Sequence, residues 1–192
     1  MLVRVDHALF AAINGLAGRF LPIDYPLRGF ASDYLAPVIM SLLLLGLWFS
    51  LSPRWGQNKA AVMTAALALG LANLAVKVLN WSYFRNRPFD DVPVSLLFYR
   101  PTDSSFPSNA AAVGFSIAMA VMLHNRRASR IFFLMAFLFA FSRVYVGVHY
   151  PLDFLGGMTV GLASGYAAFV LLRWLEPWPS RLLSLAQKLY LA

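Results

Sequence analysis

The stretch FSRVYVGVHYPLDF, residues 141–154, joins two strongly apolar segments and carries three chemically notable side chains. Arg143 lies near the end of the first apolar segment, His149 lies between the two, and Asp153 opens the second. An ionisable residue at the depth of a membrane span is costly and is therefore a candidate for function. The stretch thus predicts a polar site where two membrane helices meet.

The composition around this stretch indicates an integral membrane protein. Apolar residues make up 60% of the 192 residues, against about 45–50% in soluble proteins. Charged residues make up 12%, against about 25%. These values exclude a disordered chain, a coiled coil and an ordinary soluble enzyme. The net charge of +8 then indicates basic loops beside anionic headgroups, and we expect no nucleic-acid partner.

Five segments are apolar enough to cross a bilayer, which takes about 20 residues of helix. We therefore predict an all-α, polytopic membrane helix bundle that forms a single domain over residues 1–192. Residues 3–17 and 180–191 are amphipathic and are predicted to lie in the membrane interface. A sixth span would require residues 3–17 to enter the membrane, which Asp6 makes costly. The five predicted spans are residues 34–51, 59–81, 108–123, 131–147 and 152–174.

Loop charges predict the orientation of the bundle. Five spans place three basic regions on one side, which the positive-inside rule assigns to the cytoplasm. The connection 82–107 and the turn that contains His149 then lie on the extracytoplasmic face. The arginines on that face are set aside because a chemical role explains them. The three basic regions are residues 54–59, 126–130 and 173–188.

The turn before the last predicted span indicates a nucleophile. If Pro151 begins a helix, as proline often does, His149 lies just before that helix and Asp153 lies in its first turn. The carboxylate can then accept a hydrogen bond from one ring nitrogen, which leaves the other nitrogen as the better nucleophile. A purely structural His–Asp hydrogen bond is the alternative.

Nearby residues favour phosphate as the ligand. Arg85, Arg87 and Arg143 are predicted to lie near the same face, and a guanidinium fork matches phosphate oxygens. SSFPSNAAAVGF, residues 104–115, starts the third predicted span, and a helix start offers free backbone N–H groups to an anion. One arginine alone is typical of a headgroup anchor, but these features together predict a phosphate site.

In this arrangement the chain resembles the type-2 phosphatidic acid phosphatase superfamily of integral-membrane lipid phosphatases. The third motif of that family, S-R-x5-H-x3-D, is complete from Ser142 to Asp153. The undecaprenyl-diphosphate phosphatase branch is the most similar, through FRNRPF at residues 84–89 and DSSFPS at residues 103–108. The family motifs fall within residues 77–153.

The first family motif, K-x6-R-P, is partial. Its end matches Arg87 and Pro88, but Asn80 stands in the lysine position. Lys77 lies three residues earlier, about one helical turn away, and is the expected substitute.

The resemblance implies a role for each matching residue. His149 would attack phosphorus and become a phosphohistidine, and Asp153 would orient it. Side chains and backbone N–H groups near position 109 would hold the phosphoryl oxygens. No metal and no cofactor is implied, and the sequence has no clustered carboxylates with metal-ligand spacing. The phosphate-binding residues implied are Arg87, Arg143, Ser108 and Asn109, with Lys77 or Asn80 from the first motif.

The second family motif, P-S-G-H, is also partial. Ser108 matches, Asn109 takes the glycine position, and Ala110 takes the position of the histidine that would protonate the leaving oxygen. Three interpretations are open: an engineered His-to-Ala change, a naturally inactive protein that binds lipid phosphate, or an enzyme that works without this acid. We favour the first because the rest of the site is intact. If Ala110 is native, we predict a diphosphate substrate, whose leaving group is a stable phosphate anion.

The implied function is removal of a terminal phosphate from a lipid in a bacterial plasma membrane. The leading substrate is undecaprenyl diphosphate, the spent carrier of cell-wall synthesis. Phosphatidylglycerophosphate, lipid A phosphate and phosphatidic acid are alternative substrates. A transporter or a non-catalytic binder of lipid phosphate is an alternative of another class, and neither would use His149 as a nucleophile. The oligomeric state is not predicted.

Overall fold

The computed structural model describes residues 2–188, and all regular secondary structure in that part of the chain is helical. The predicted all-α membrane helix bundle is therefore confirmed. The helices are α1 (Leu2–Asn14), α2 (Leu21–Ala31), α3 (Leu35–Trp48), α4 (Trp55–Ser82), α5 (Pro88–Asp91), α6 (Asn109–His124), α7 (Arg126–Tyr145), α8 (Pro151–Trp174) and α9 (Trp178–Lys188).

The number of full-length spans is smaller than the sequence predicted. By length and hydropathy α4, α7 and α8 can each cross a membrane, and α2 with α3 makes a fourth span only if the two count as one. These two helices are bent by 64° at the short break between them. The predicted span 34–51 contains only α3, whose 14 residues are too few to cross the hydrocarbon core alone. α6 is apolar but has 16 residues, a length of about 24 Å, which is less than the hydrocarbon core.

α6 lies at the centre of the bundle, packed against α4, α7 and α8. Small residues allow this close approach, as is typical of helix interfaces in membranes. A Cβ atom at Gly161 of α8 would overlap the carbonyl oxygen of Ala112 in α6, and one at Gly157 would lie 2.8 Å from Ala111 Cβ. The first turn of α6 is therefore held tightly against the first half of α8.

Helix α1 lies against the end of the bundle where α7 ends and α8 begins. Its inner face buries Asp6, Phe10 and Asn14, whereas Val5 and Leu9 on its outer face are about half exposed. This distribution agrees with the amphipathic pattern predicted for residues 3–17. With 13 residues, α1 is too short to provide a sixth span.

The opposite end of the bundle carries the basic regions. There α4 begins after Arg54, α6 and α7 meet at Asn125, and α9 follows α8. The Asn125 amide donates a hydrogen bond to the Asn58 side chain at 2.8 Å and joins α4 to this turn. The predicted amphipathic segment 180–191 begins within α9, and its residues 189–191 lie outside the described part of the chain.

Candidate active site

His149 lies in the short turn that connects α7 to α8. Gly147 has a φ of 90°, a backbone conformation that glycine adopts without the cost of a Cβ atom. Gly147 is also close to α1, because a Cβ there would lie 3.1 Å from the Asn14 amide nitrogen. The tight turn and the packing of α1 over it place the His149 ring inside the protein, with 5% of the residue exposed.

The hydrogen bonds of the His149 ring define its tautomer. Nδ1 lies 2.8 Å from the backbone carbonyl oxygen of Ser105, and a carbonyl can only accept, so Nδ1 carries the proton. Nε2 is then unprotonated and lies 3.4 Å from Nη1 of Arg87. Burial lowers the pKa of His149; nearby Asp153 opposes this shift, while the positive charges of Arg87 and Arg143 add to it. The ring is therefore neutral at neutral pH.

Asp153 does not make the direct hydrogen bond to His149 that the sequence predicted. Its Oδ2 is 3.8 Å from His149 Nδ1, because the Ser105 carbonyl takes the ring proton. Oδ2 instead accepts from the Ser105 hydroxyl at 2.6 Å and from the Tyr150 N–H at 2.8 Å. Oδ1 accepts from Arg85 Nη1 at 2.6 Å. The carboxylate is thus fully buried and saturated with donors.

Arg85 has a structural partner set rather than a place at the cavity wall. Its guanidinium bridges Asp153 and Asp6 of α1, at 2.6 Å to each. Asp6 also accepts the N–H of Leu152 at 2.9 Å. Arg85 therefore lies beside the site, near the other two arginines, but two buried carboxylates neutralise it and it does not line the cavity.

Arg87 and Arg143 are both buried and both line a cavity of about 250 Å³ at this end of the bundle. Arg87 Nη1 donates to the Val148 carbonyl at 2.8 Å, and its Nη2 donates to Asp103 Oδ1 at 2.8 Å. Arg143 pairs with Asp33, which lies between α2 and α3. Its Nε is buried with no hydrogen-bond partner among residues 2–188. The cavity therefore contains unused donor capacity for an anion.

The start of α6 forms another wall of the cavity. Ser108 is fully buried and is the N-cap of α6, and its Oγ has no hydrogen-bond partner within the described chain. Asn109 and Ala110 line the cavity, Asn109 exposed and Ala110 buried. The Ser108 N–H donates to the Asp153 carbonyl at 3.0 Å, which fixes this helix start beside the His149 turn. The first-turn N–H groups of α6 therefore lie at the cavity.

The two candidates from the first family motif do not join this group. Lys77 is exposed on the last part of α4, and neither it nor Asn80 belongs to the cavity lining. Asn80 is partly buried, and its Oδ1 has no hydrogen-bond partner in residues 2–188. The residues that the structure brings together are thus His149, Arg87, Arg143, Asn109 and Ala110 at the cavity, with Ser108 and Asp153 directly behind them.

Three residues of the site were not singled out from the sequence. Ser105 touches both His149 and Asp153, and it lies two residues before the second family motif. Asp33 and Tyr99 line the cavity beside Arg143, and the Tyr99 hydroxyl donates to Asp33 at 2.8 Å. Asp33 is 110 residues away from Arg143 in the chain, and no spacing rule connects such positions.

In the part of the chain that the structure describes, no group of three or more His, Cys, Asp and Glu residues has the geometry to hold a metal ion. The cavity instead combines a neutral imidazole, two guanidinium groups and a helix start at one end of a membrane helix bundle. This combination of groups is suited to binding a phosphate anion at the end of a membrane helix bundle. The chain belongs to the PAP2 superfamily, whose family model matches residues 61–177.

Individual relatives cover most of the chain. It is 31% identical over 166 residues to undecaprenyl-diphosphatase BcrC of Bacillus subtilis, a match that covers 86% of this chain and 83% of that protein. It is 31% identical over 186 residues to bacitracin transport permease protein BcrC of Bacillus licheniformis, covering 93% and 90%. The crystal structure of Aquifex aeolicus LpxE matches with a TM-score of 0.68 and 32% identity, covering 85% of this chain and 94% of that one. The predicted family resemblance is confirmed.

Proposed function

We propose that the chain is a lipid phosphatase that removes the terminal phosphate of undecaprenyl diphosphate at the extracytoplasmic face of a bacterial plasma membrane. The observation that carries the proposal is the unprotonated Nε2 of buried His149, at the wall of a cavity that Arg87 and Arg143 also line. The similarity to an undecaprenyl-diphosphatase supports the substrate. The basic loops at the opposite end of the bundle support the orientation.

The terminal phosphate binds between the two guanidinium groups and the start of α6. Arg87 and Arg143 match its oxygens with planar N–H pairs, and the N–H groups of the first turn of α6 add a positive dipole end. The unpartnered Ser108 hydroxyl and Arg143 Nε become satisfied when an oxygen reaches them. Asp103 and Asp33, which pair with the two arginines, move into water as the phosphate enters.

The reaction has two displacement steps at phosphorus. In the first, the Nε2 lone pair of His149 forms an N–P bond while the bridging P–O bond breaks, and lipid monophosphate leaves with the bonding electron pair. In the second, water adds to phosphorus, the N–P bond breaks, and inorganic phosphate is released with regeneration of the imidazole. The buried Asp153 carboxylate stabilises the cationic phosphoimidazole ring between the two steps. No metal takes part.

Ala110 limits the first step for poor leaving groups. It lines the cavity in the position of the family histidine and has no proton to give to the leaving oxygen. General acid catalysis typically contributes about 10²–10⁴-fold. An alkoxide leaving group loses most from its absence, whereas lipid monophosphate is already a stable anion. The proposed diphosphate substrate is therefore the one that this site handles best as it stands.

The test is phosphate release by the purified protein in detergent, with undecaprenyl diphosphate compared with phosphatidic acid. We expect Ala110→His to raise turnover of both lipids, by about 10²-fold or more for the monophosphate. His149→Ala in this background should abolish release. His124→Gln, which changes a histidine at the opposite end of the bundle where it contacts Thr64, is the matched control and should remain active. Absence of release from a well-folded Ala110→His protein would refute the proposal.

Transport is the second candidate, because the Bacillus licheniformis relative carries the name of a transport permease. A transporter would move lipid or antibiotic without a covalent intermediate and without loss of function in His149→Ala. Protein incubated with terminally ³²P-labelled undecaprenyl diphosphate and quenched in denaturing detergent at alkaline pH, where an N–P bond survives, separates the two. The phosphatase retains label that is acid-labile and absent in His149→Ala, whereas a transporter retains none.

A further inference from the structure

Ser105 lies between the nucleophile and the carboxylate that supports it. It is fully buried. Its carbonyl oxygen accepts the Nδ1 proton of His149 at 2.8 Å, and its hydroxyl donates to Asp153 Oδ2 at 2.6 Å. Its own N–H donates to the Arg85 carbonyl at 2.9 Å. One residue therefore uses all three of its polar groups within the site.

These contacts determine how basic the His149 imidazole is. A ring that donates directly to a carboxylate is held as the cation more easily, because the negative charge favours the protonated form. Here the ring donates to a neutral carbonyl, and the carboxylate oxygen at 3.8 Å is occupied by the Ser105 hydroxyl. His149 is thus less basic than in a direct His–Asp pair, which keeps Nε2 free to attack at neutral pH.

We propose that Ser105 is a positioning residue of the phosphatase reaction: its carbonyl sets the His149 tautomer, and its hydroxyl holds Asp153 away from the ring. The inference rests on the function proposed above. Asp153 then acts on the reaction after the N–P bond has formed, when the ring becomes cationic. Before that step the same carboxylate is neutralised by Arg85.

The charged groups around the His149 ring determine how its pKa should change when Ser105 is replaced. Asp153 on α8 is the nearest acid, and Arg87 from the connection before α5 and Arg143 from α7 are the nearby bases. Ser105→Ala removes one of the two donors to Asp153 Oδ2, leaves the Tyr150 N–H as the other, and keeps both arginines in place. The carboxylate becomes free to approach Nδ1, so the pKa of His149 rises. An opposite charge in contact shifts a pKa by about one to three units, and we expect about one unit.

The first measurement is the pH dependence of kcat/KM in the Ala110→His background. Ser105→Ala should move the acid limb of the profile upward by about one pH unit, since protonated His149 cannot attack. Ser105→Thr keeps a hydroxyl and should restore the limb. Ser116→Ala is the matched control, because Ser116 is equally buried but donates only to the Val113 carbonyl of its own helix. An unmoved acid limb in an active Ser105→Ala enzyme would overturn the inference.

The second measurement needs no turnover. The chain contains three histidines, so ¹⁵N-histidine labelling gives three imidazoles, which His7→Gln and His124→Gln assign by elimination. We expect His149 in the unaltered chain to be protonated at Nδ1, and to titrate about one pH unit higher in Ser105→Ala. Equal titration in both proteins would contradict the role of Ser105. If Ala110→His releases no phosphate, the proposed function fails, and this titration still decides the role of Ser105.

Discussion

Gly157→Ala tests whether helix packing, rather than the motif residues alone, holds the phosphate site in shape. A methyl group at this position of α8 would overlap the Ser108 carbonyl oxygen and lie 2.8 Å from Ala111 Cβ. Both neighbours belong to the first turn of α6, and backbone atoms cannot rotate away. The start of α6 and the facing part of α8 must therefore move apart by about 1 Å to bring the 2.2 Å approach to the Ser108 oxygen back to ordinary contact. Overpacking of this kind costs about 1–3 kcal/mol.

The catalytic effect should exceed the effect on stability. Displacement of α6 moves Ser108 and the first-turn N–H groups away from the His149 turn, to which the Ser108 N–H is bound through Asp153. Because a misplacement of about 1 Å costs about 10²-fold in rate, we expect kcat/KM to fall at least about tenfold.

The assay is phosphate release by Gly157→Ala in the Ala110→His background, with the thermal midpoint measured in the same detergent. Gly70→Ala on α4 is the matched control, because no described atom outside its own helix lies within 4 Å of the added Cβ. It should keep full activity and gain slightly in stability, since alanine is the better helix former. Full activity of Gly157→Ala would show that the geometry of the phosphate site does not depend on this contact between α6 and α8.

Three further results are expected. Asp103→Asn should lower KM several-fold without lowering kcat, because the substrate no longer displaces a carboxylate from Arg87; an increased KM would instead make Asp103 part of the binding site. Thr102→Cys should react with a membrane-impermeant maleimide added outside intact cells, and Arg127→Cys only after lysis, a clean comparison because the chain has no cysteine; the reverse pattern would invert the proposed orientation. Asp6→Ala should lower the thermal midpoint, because loss of one partner of a buried ion pair costs up to about 3–5 kcal/mol; an unchanged midpoint would show that α1 contributes little.

The parts of the fold that hydropathy controls were predictable from the sequence. α4 and α8 are long apolar helices, and both lie close to the predicted segments 59–81 and 152–174. The bend between α2 and α3 was not predictable in the same way, because it lies at the edge of the predicted span 34–51 and hydropathy does not report a change of helix direction. Asp33 at the bend pairs with Arg143, and only the folded chain brings these two residues together.

Much of the site was predictable because the motif residues lie next to helix ends. His149 and Arg87 meet at 3.4 Å although 62 residues separate them, in line with the roles that the family resemblance implies. The prediction of a direct His149–Asp153 hydrogen bond was wrong for a local reason that sequence spacing does not contain. A separation of four residues allows the contact, but it does not say which acceptor is closer, and the Ser105 carbonyl is.

The carboxylates of the site divide into two kinds by their access to water. Asp6 and Asp153 have no exposed side-chain surface, and both are bound to Arg85. A carboxylate in that position cannot leave its partner, because an unpaired buried charge is far more costly than the pair. Asp33 and Asp103 have side chains that are 47% and 63% exposed, and each can return to water when a phosphate replaces it. Asp6 and Asp153 therefore maintain the architecture of the site. Asp33 and Asp103 instead keep the two cavity arginines in place until the substrate binds.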